Sequence, residues 1–334
     1  KRIALFSGLA VVGPVLLAWL RSKTVGIDVM LYVEPAFKLA KYCDGLSYYL
    51  SRIGENEDLG FFTMVYGITK VFGEFSVVLF FCHLIIVSLC FYSLVFFKQR
   101  YNCSLWFGYA IMLLHFYNPS LCLVRQGLAF ALFLAGMTML IQKKYIKCII
   151  MFILALSVHK TMLAVVVACV LLKIIVEHIE SMKLKIFLVL LMFSSVLFAS
   201  SLAGFAINIV DAKYAERLST LEANSGGIVT IVTYALLAVI PFIVCYKNKN
   251  IQLMFFLYLP VLGFLFQSMG KLTMYFIRMG IPFMAMIMFT IPYVMKNKKY
   301  QKLFLLFLLF LWIRNIYFGR HWETVPYIIS PELF

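Results

Sequence analysis

FSVVLFFCHLIIVSLCFYSLVFF, residues 75–97, carries no Asp, Glu, Lys or Arg, and it runs directly into the basic KQR at 98–100. An α-helix needs ~20 mainly apolar residues to cross the hydrocarbon core of a bilayer. This stretch meets that length. It is apolar all round, unlike a soluble helix, which keeps one polar face for water. Similar runs follow one another through the 334 residues. The chain is 64% hydrophobic and only 13% charged, with a mean hydropathy of +0.97. A soluble domain of this size needs far more polar surface. The sequence therefore specifies an all-α polytopic membrane protein.

Helices are predicted at 2–20, 75–97, 104–117, 119–141, 145–158, 159–177, 183–203, 227–246, 251–269, 274–295 and 301–313, about 11 transmembrane helices in all. The runs 104–117, 145–158 and 301–313 are short for a full crossing and are expected to be thin, tilted or re-entrant. Tight basic clusters separate the runs: Lys98 and Arg100; Lys143, Lys144 and Lys147; Lys183 and Lys185; Lys247 and Lys249; Lys296, Lys298, Lys299 and Lys302. If the helices alternate in direction, all of these fall on one side. The positive-inside rule makes that side cytoplasmic. The two sides hold similar totals of Lys and Arg, so the orientation rests on the tight basic loops sharing a side. Three long segments, 21–74, 204–226 and 314–334, then face outward. The first contains an amphipathic stretch, 61–73, expected to lie along the membrane surface. No repeat or soluble domain interrupts the chain, so a single integral membrane domain is expected over 1–334.

The net charge of +16 would suit nucleic acid in a soluble protein. Here it is divided among membrane loops, so no nucleic-acid partner is expected. The eight cysteines include no CxxC and no Cys/His set with zinc spacing, and they are read as small apolar side chains. There is no Gly-rich phosphate loop, GxSxG, HExxH or DxD. No metal site and no cofactor is expected.

Ionisable groups inside apolar segments are costly and usually functional. Four stand out: Arg125, His159, Lys160 and Arg278. In the alternating topology all four lie towards the outer surface. Arg125 is expected six residues into its helix, ~9 Å below the outer end, and Arg278 four residues into its own, ~6 Å down. His159 and Lys160 sit at a helix junction, and Asp28 and Tyr32 in the first outer segment. This depth suits the pyrophosphate of a polyprenyl-linked sugar, which two arginines hold through charge-assisted, bidentate bonds. A transporter would put its polar groups near the midplane, on broken helices. A blander reading is that Arg and Lys near helix ends snorkel to the interface, and it fits Lys160 best. His83, within the run that opened this reading, is expected to be structural.

Five stretches resemble the EpsG/Wzy family of membrane polysaccharide polymerases. They are RSKTVGIDVMLY (21–32), VRQGLAFALFLAG (124–136), LALSVHKTMLA (154–164), YFIRMG (275–280) and ETVPY (323–327). Their order and spacing cover most of the chain. Ile27 stands where the family often has Thr, and Ile328 where an Arg is common. The family often carries one more helix ahead of the segment that begins at Lys1, which would bring the count near twelve. The resemblance implies a GT-C-like fold. It also implies transfer of a glycan from polyprenyl (undecaprenyl) pyrophosphate to a lipid-linked repeat unit, at the outer, periplasmic face of the bacterial inner membrane. Metal-free, inverting transfer is implied with it. Partners would be undecaprenyl-pyrophosphate-linked oligosaccharides, membrane lipids and a chain-length regulator protein.

Such a transfer has two needs. Negative charge develops on the leaving pyrophosphate, and fixed cations stabilise it. Arg125 and Arg278 are the candidates. The attacking sugar hydroxyl must lose a proton, and His159 or Asp28 can accept it, with His159 preferred. Gln126, Tyr32, Tyr275 and Lys160 are candidate sugar or phosphate contacts. Rival readings are a lipid-linked oligosaccharide flippase, a membrane acyltransferase of surface glycans and an O-antigen ligase. The first two would form no new glycosidic bond.

Overall fold

The computed structural model describes residues 2–26, 28–53, 58–178, 180–181, 183, 187, 228–245, 251–268, 274–319 and 324–331. Apart from single positions, the expected helix 183–203 lies outside the described residues, as does the expected outer segment 204–226. Every named element among the described residues is helical. The chain divides into two compact units, Lys1–Met162 with Met295–Phe334, and Leu163–Val294.

The first unit begins with α1 (Arg2–Leu20), which contains Pro14. Proline has no N–H, so the carbonyl four residues back loses its helical donor. That carbonyl belongs to Ala10, and the hydroxyl of Tyr109 donates to it instead. Tyr117 donates to the carbonyl of Pro14 in the same way. In a medium without water such substitutions keep a proline-bearing helix satisfied. The end of α1 faces the same problem, because the last four carbonyls of a helix have no partner within it. Here the C-terminal tail answers. Tyr327 donates its hydroxyl to Leu17 O, and the Ser330 N–H donates to Leu20 O at 2.8 Å. Beyond the helix the Ser22 N–H reaches Ile328 O at 2.7 Å. Asn118 and Thr324 exchange hydrogen bonds of 2.8 and 3.0 Å, tying the same tail to a second helix end.

The segment 21–74, expected to face outward, folds into short helical pieces: a π-helical turn at Val29–Val33, α2 (Glu34–Tyr42), α3 (Leu46–Ile53) and α4 (Leu59–Phe72). The amphipathic stretch expected at 61–73 falls within α4, which buries Phe61, Phe62, Val65 and Thr69. A long helix, α5 (Phe75–Tyr101), follows and contains the whole opening stretch. It runs antiparallel to α1, with Trp19 edge-on to Phe80 at 6.1 Å.

The next helical segment is built in pieces: α6 (Leu105–Ile111), a π-helical turn at Met112–Tyr117 and α7 (Asn118–Cys122). It therefore runs from 105 to 122, longer than the 104–117 expected. Leu123 is non-helical (φ −91°, ψ 66°), and α8 (Val124–Ile141) begins after it. The helix expected at 119–141 is thus two helices: its first four residues belong to α7, and Leu123 separates them from α8. Pro119 follows the π-helical turn in unbroken helical backbone (Tyr117 φ −62°, ψ −43°), so it withdraws one main-chain donor from this run. Arg21, buried to 1% exposure, donates to Leu121 O among the terminal carbonyls of α7. Gly26, at φ +90°, packs so close that a Cβ there would lie 2.8 Å from Cys122 Cα. His83 on α5 is fully buried between Leu79 O (3.0 Å) and Ser120 O (3.3 Å). It links α5 to α7, the structural part expected of it.

α8 runs parallel to α5, since His83 lies near Ser120 while Tyr92 accepts from Gln142 at 3.3 Å. α9 (Tyr145–Val158) returns antiparallel, with Phe152 stacked on Phe133 at 5.5 Å. The helix Lys298–Trp312 and its π-helical extension Ile313–Phe318 close the unit, packing Phe304 on Phe107 at 5.7 Å. Together they span 21 residues, well beyond the 301–313 expected, so they are long enough to cross a membrane. Three further described helices meet that standard: Phe75–Tyr101, Val124–Ile141 and Phe276–Val294.

In the second unit α10 (Met162–His178) is followed by the helices Ile228–Cys245, Ile251–Ser268, Met274–Met284 and Ile287–Val294. Tyr258 packs on Phe242 at 4.8 Å, and Phe266 stacks on Phe283 at 5.8 Å. The run expected as one helix at 274–295 is interrupted by a turn at Ala285 and Met286.

Gly60 marks the closest approach of α4 to α9. A Cβ there would stand 2.2 Å from Ser157 Oγ and 2.9 Å from the Ser157 backbone carbon. Gly60→Ala is expected to destabilise the protein by about 1–3 kcal/mol, the usual cost of overpacking. Thermal unfolding in detergent checks this, and an unchanged Tm would mean that α4 and α9 are free to separate.

Candidate functional site

The approach of Gly60 to Ser157 has a chemical result two residues away in each chain segment. Asp58, just before α4, meets His159, just after α9. Asp58 adopts a non-helical conformation (φ −79°, ψ 78°), and its carbonyl accepts the Phe61 and Phe62 N–H groups. Its side chain makes no capping bond to α4, which leaves the carboxylate for other partners. His159 ends α9 in an extended conformation (φ −157°, ψ 111°), and its carbonyl accepts the Met162 N–H at the start of α10. The chain turns sharply there, which aims both the His159 ring and the Lys160 N–H at Asp58.

The carboxylate is fully used. Oδ2 accepts from Arg125 Nη1 at 3.0 Å and faces His159 Nδ1 at 3.1 Å, while Oδ1 accepts the Lys160 backbone N–H at 2.9 Å. The Asp58 and Arg125 side chains are only 7% and 9% exposed. In such a place an isolated charge is intolerable, and removing one partner of a buried pair costs about 3–5 kcal/mol. The flat face of the Arg125 guanidinium is covered by Tyr32, with Cζ 3.8 Å from the ring centroid. That is a cation–π contact with the π-helical turn at Val29–Val33. Burial pushes the Asp58 carboxyl up. The His159 hydrogen bond and charge, the Lys160 N–H and the Arg125 charge together outweigh burial and hold it below the ordinary value.

A nitrogen pointed at a carboxylate carries a proton. His159 Nδ1 is therefore the donor, and in the neutral ring Nε2 is the acceptor. Nε2 is buried and has no hydrogen-bond partner. The site thus presents a cation held flat against an aromatic ring and an imidazole with its basic nitrogen open. The pair can neutralise a developing anion and accept a proton. Among the described residues no group of three or more His, Cys, Asp or Glu side chains is arranged to hold a metal ion.

Of the residues singled out from sequence, the structure brings Arg125, Tyr32, His159 and Lys160 together around Asp58. Lys160 contributes its backbone N–H, and its side chain is exposed. Gln126 is buried beside Arg125 on α8, and Asp28 is buried at the start of the π-helical turn that carries Tyr32. Arg125 is the second residue of α8, so it sits at the helix tip and not a turn and a half along it, because Leu123 breaks the helix first. Arg278 is half-buried on the helix Met274–Met284 of the second unit. Tyr275 belongs to the same helix, and its side chain lies outside the described residues. The role expected of these two rests on sequence alone. Asp58 itself was missed. It closes the acidic run ENED (55–58), which reads as a solvated loop. The available signal was its place one residue ahead of an amphipathic helix, where an Asp usually caps.

These features define a helical membrane protein with a carboxylate-centred cation and imidazole site at a junction of helix ends. The chain belongs to the EpsG family: the family model matches residues 5–328, nearly its whole length. Membership supports a membrane polysaccharide polymerase, an enzyme of the glycosyltransferase kind. No curated protein and no solved structure matches the chain.

The depressed Asp58 pKa makes stability depend on pH. Its contribution is complete above the ordinary carboxylate value of 3.8 and disappears as pH falls through the lower folded value. The Tm difference between the wild type and Asp58→Asn is expected to be constant at neutral pH and to shrink below that value. A difference that does not change on acidification would mean the carboxylate is not ionised in the folded protein.

Proposed function

We propose that this chain is a polymerase with a GT-C-like fold, acting at the outer face of the bacterial inner membrane. It transfers a growing glycan from undecaprenyl pyrophosphate to a new lipid-linked repeat unit. Arg125 faces the pyrophosphate and stabilises the charge that develops as it leaves. His159 Nε2 takes the proton of the attacking sugar hydroxyl. The transfer is metal-independent and inverts the anomeric carbon. Asp28, Gln126 and Tyr32 orient sugar and phosphate, and the exposed Lys160 ammonium adds a phosphate contact. Arg278 and Tyr275 keep their proposed phosphate and sugar contacts on the sequence reading. A chain-length regulator would act on the assembled enzyme.

The observation that carries this reading is the meeting of Arg125 and His159 on one carboxylate. A cation for the leaving group and a base for the acceptor are the two groups the transfer requires, and the family membership supplies the reaction class. The site also lies at helix ends, where a lipid-borne pyrophosphate in the headgroup layer can reach it. The opposite ends of α5 and α8 carry Lys98, Arg100, Lys143 and Lys144, the basic clusters expected to face the cytoplasm.

The test uses purified protein in detergent with a polyprenyl-pyrophosphate-linked repeat unit, its products resolved on a gel. Wild type is expected to give a ladder. Arg125→Ala and Arg125→Lys, each checked for folding by size exclusion and Tm, are expected to lose at least about 100-fold in rate, as when one fixed donor to a developing oxyanion is removed. A normal ladder from either folded variant would remove Arg125 from the phosphate site. Movement of the lipid-linked unit across vesicles without any new glycosidic bond would replace the polymerase with a transporter.

A further inference from the structure

The chemistry assigned to Arg125 and His159 leaves Asp58 without a part, although it holds them both. We infer that Asp58 is a positioning residue that selects the reactive tautomer of His159 and stabilises the imidazolium formed during transfer. This rests on the polymerase reading for its reaction, and on geometry alone for the tautomer.

The geometry is specific. One carboxylate oxygen serves both Arg125 Nη1 and His159 Nδ1, and the other is pinned by the Lys160 N–H. An ion pair serving stability alone would need only the arginine. The added histidine is oriented so that its second nitrogen, Nε2, is buried and unpartnered. A buried ring nitrogen is left open only at a cost, and substrate is the partner that removes it. As the acceptor hydroxyl attacks, its O–H bond breaks and the proton passes to Nε2. The oxygen forms a bond to the anomeric carbon. The bond from that carbon to the pyrophosphate oxygen breaks, and polyprenyl pyrophosphate leaves with the electron pair. The ring is then an imidazolium whose Nδ1–H faces the Asp58 carboxylate. Release of the Nε2 proton to water restores the start.

An asparagine at 58 cannot do this. Its single carbonyl oxygen can face either the Lys160 N–H or the Arg125 and His159 pair. If it faces Lys160, the amide NH2 donates to His159 Nδ1 and drives the proton to Nε2, where the base is needed. If it is flipped, the NH2 opposes the Lys160 N–H. The first arrangement reverses the tautomer, and either one removes the negative charge beside the imidazolium.

Two measurements test the inference. The first is ¹⁵N NMR of the histidine rings in the wild type, with the His159 signal identified among the five histidines by its loss in His159→Gln. A protonated Nδ1 with a bare Nε2 is expected, and a protonated Nε2 would overturn the inference whatever the activity. The second is the kinetics of Asp58→Asn, accepted as folded on its Tm. Its kcat is expected to drop about 10²- to 10⁴-fold, with the donor KM within about threefold of wild type. A folded variant that keeps kcat, or changes only KM, would make Asp58 a structural anchor and nothing more. If wild type makes no polymer, the polymerase reading fails, and the NMR still decides whether Asp58 sets the tautomer.

Discussion

A carboxylate buried in a helical bundle keeps its charge only if donors are brought to it, and the architecture of the first unit is the means of bringing them. Asp58 draws its three partners from places far apart in sequence: the tip of α8, the turn after α9 and the backbone one residue beyond. Each is delivered by a local break. Leu123 interrupts what would be one helix and puts Arg125 at a tip. His159 leaves the helical conformation and faces its ring inward. Asp58 stands outside α4 with its side chain free of capping duty. Gly60 then lets α4 and α9 come close enough for the three to meet. Regular helices supply the scaffold, and the chemistry sits where they stop.

The same accounting of polar groups governs the rest of the unit. Pro14 frees one carbonyl of α1 and Tyr109 supplies the missing donor. The end of α1 is closed by Tyr327 and Ser330, and the end of α7 by Arg21. In water these groups would be hydrated at little cost, but within a membrane they must be answered by the protein. The tyrosines here are therefore more than interfacial aromatics, since their hydroxyls replace main-chain donors.

Much of this was legible beforehand. The apolar runs gave helices, and α5 reproduces the run at 75–97 almost to its ends. Arg125 and His159 drew notice as ionisable groups within apolar segments, and Tyr32 through the stretch 21–32 that resembles the family; the three do converge. What failed has local causes. The run from 119 was read as one helix, so the break at Leu123 went unseen, and Arg125 was set too deep. Asp58 was lost among four consecutive acidic or amide residues, where charge reads as solvation. Periodicity cannot show that one of them turns inward, because that depends on α9, about a hundred positions away.

The tail that closes α1 has a bearing on biogenesis. Tyr327 and Leu17 lie 310 positions apart. At a synthesis rate of roughly 5–20 residues per second, the tail follows α1 by something like 15–60 seconds. Through that interval the carbonyls of Leu17 and Leu20 wait for their final donors, and the second unit is threaded into the bilayer while the first is still open at that end. The residues around Tyr327 thus act as a latch that is set only after the intervening helices have been made.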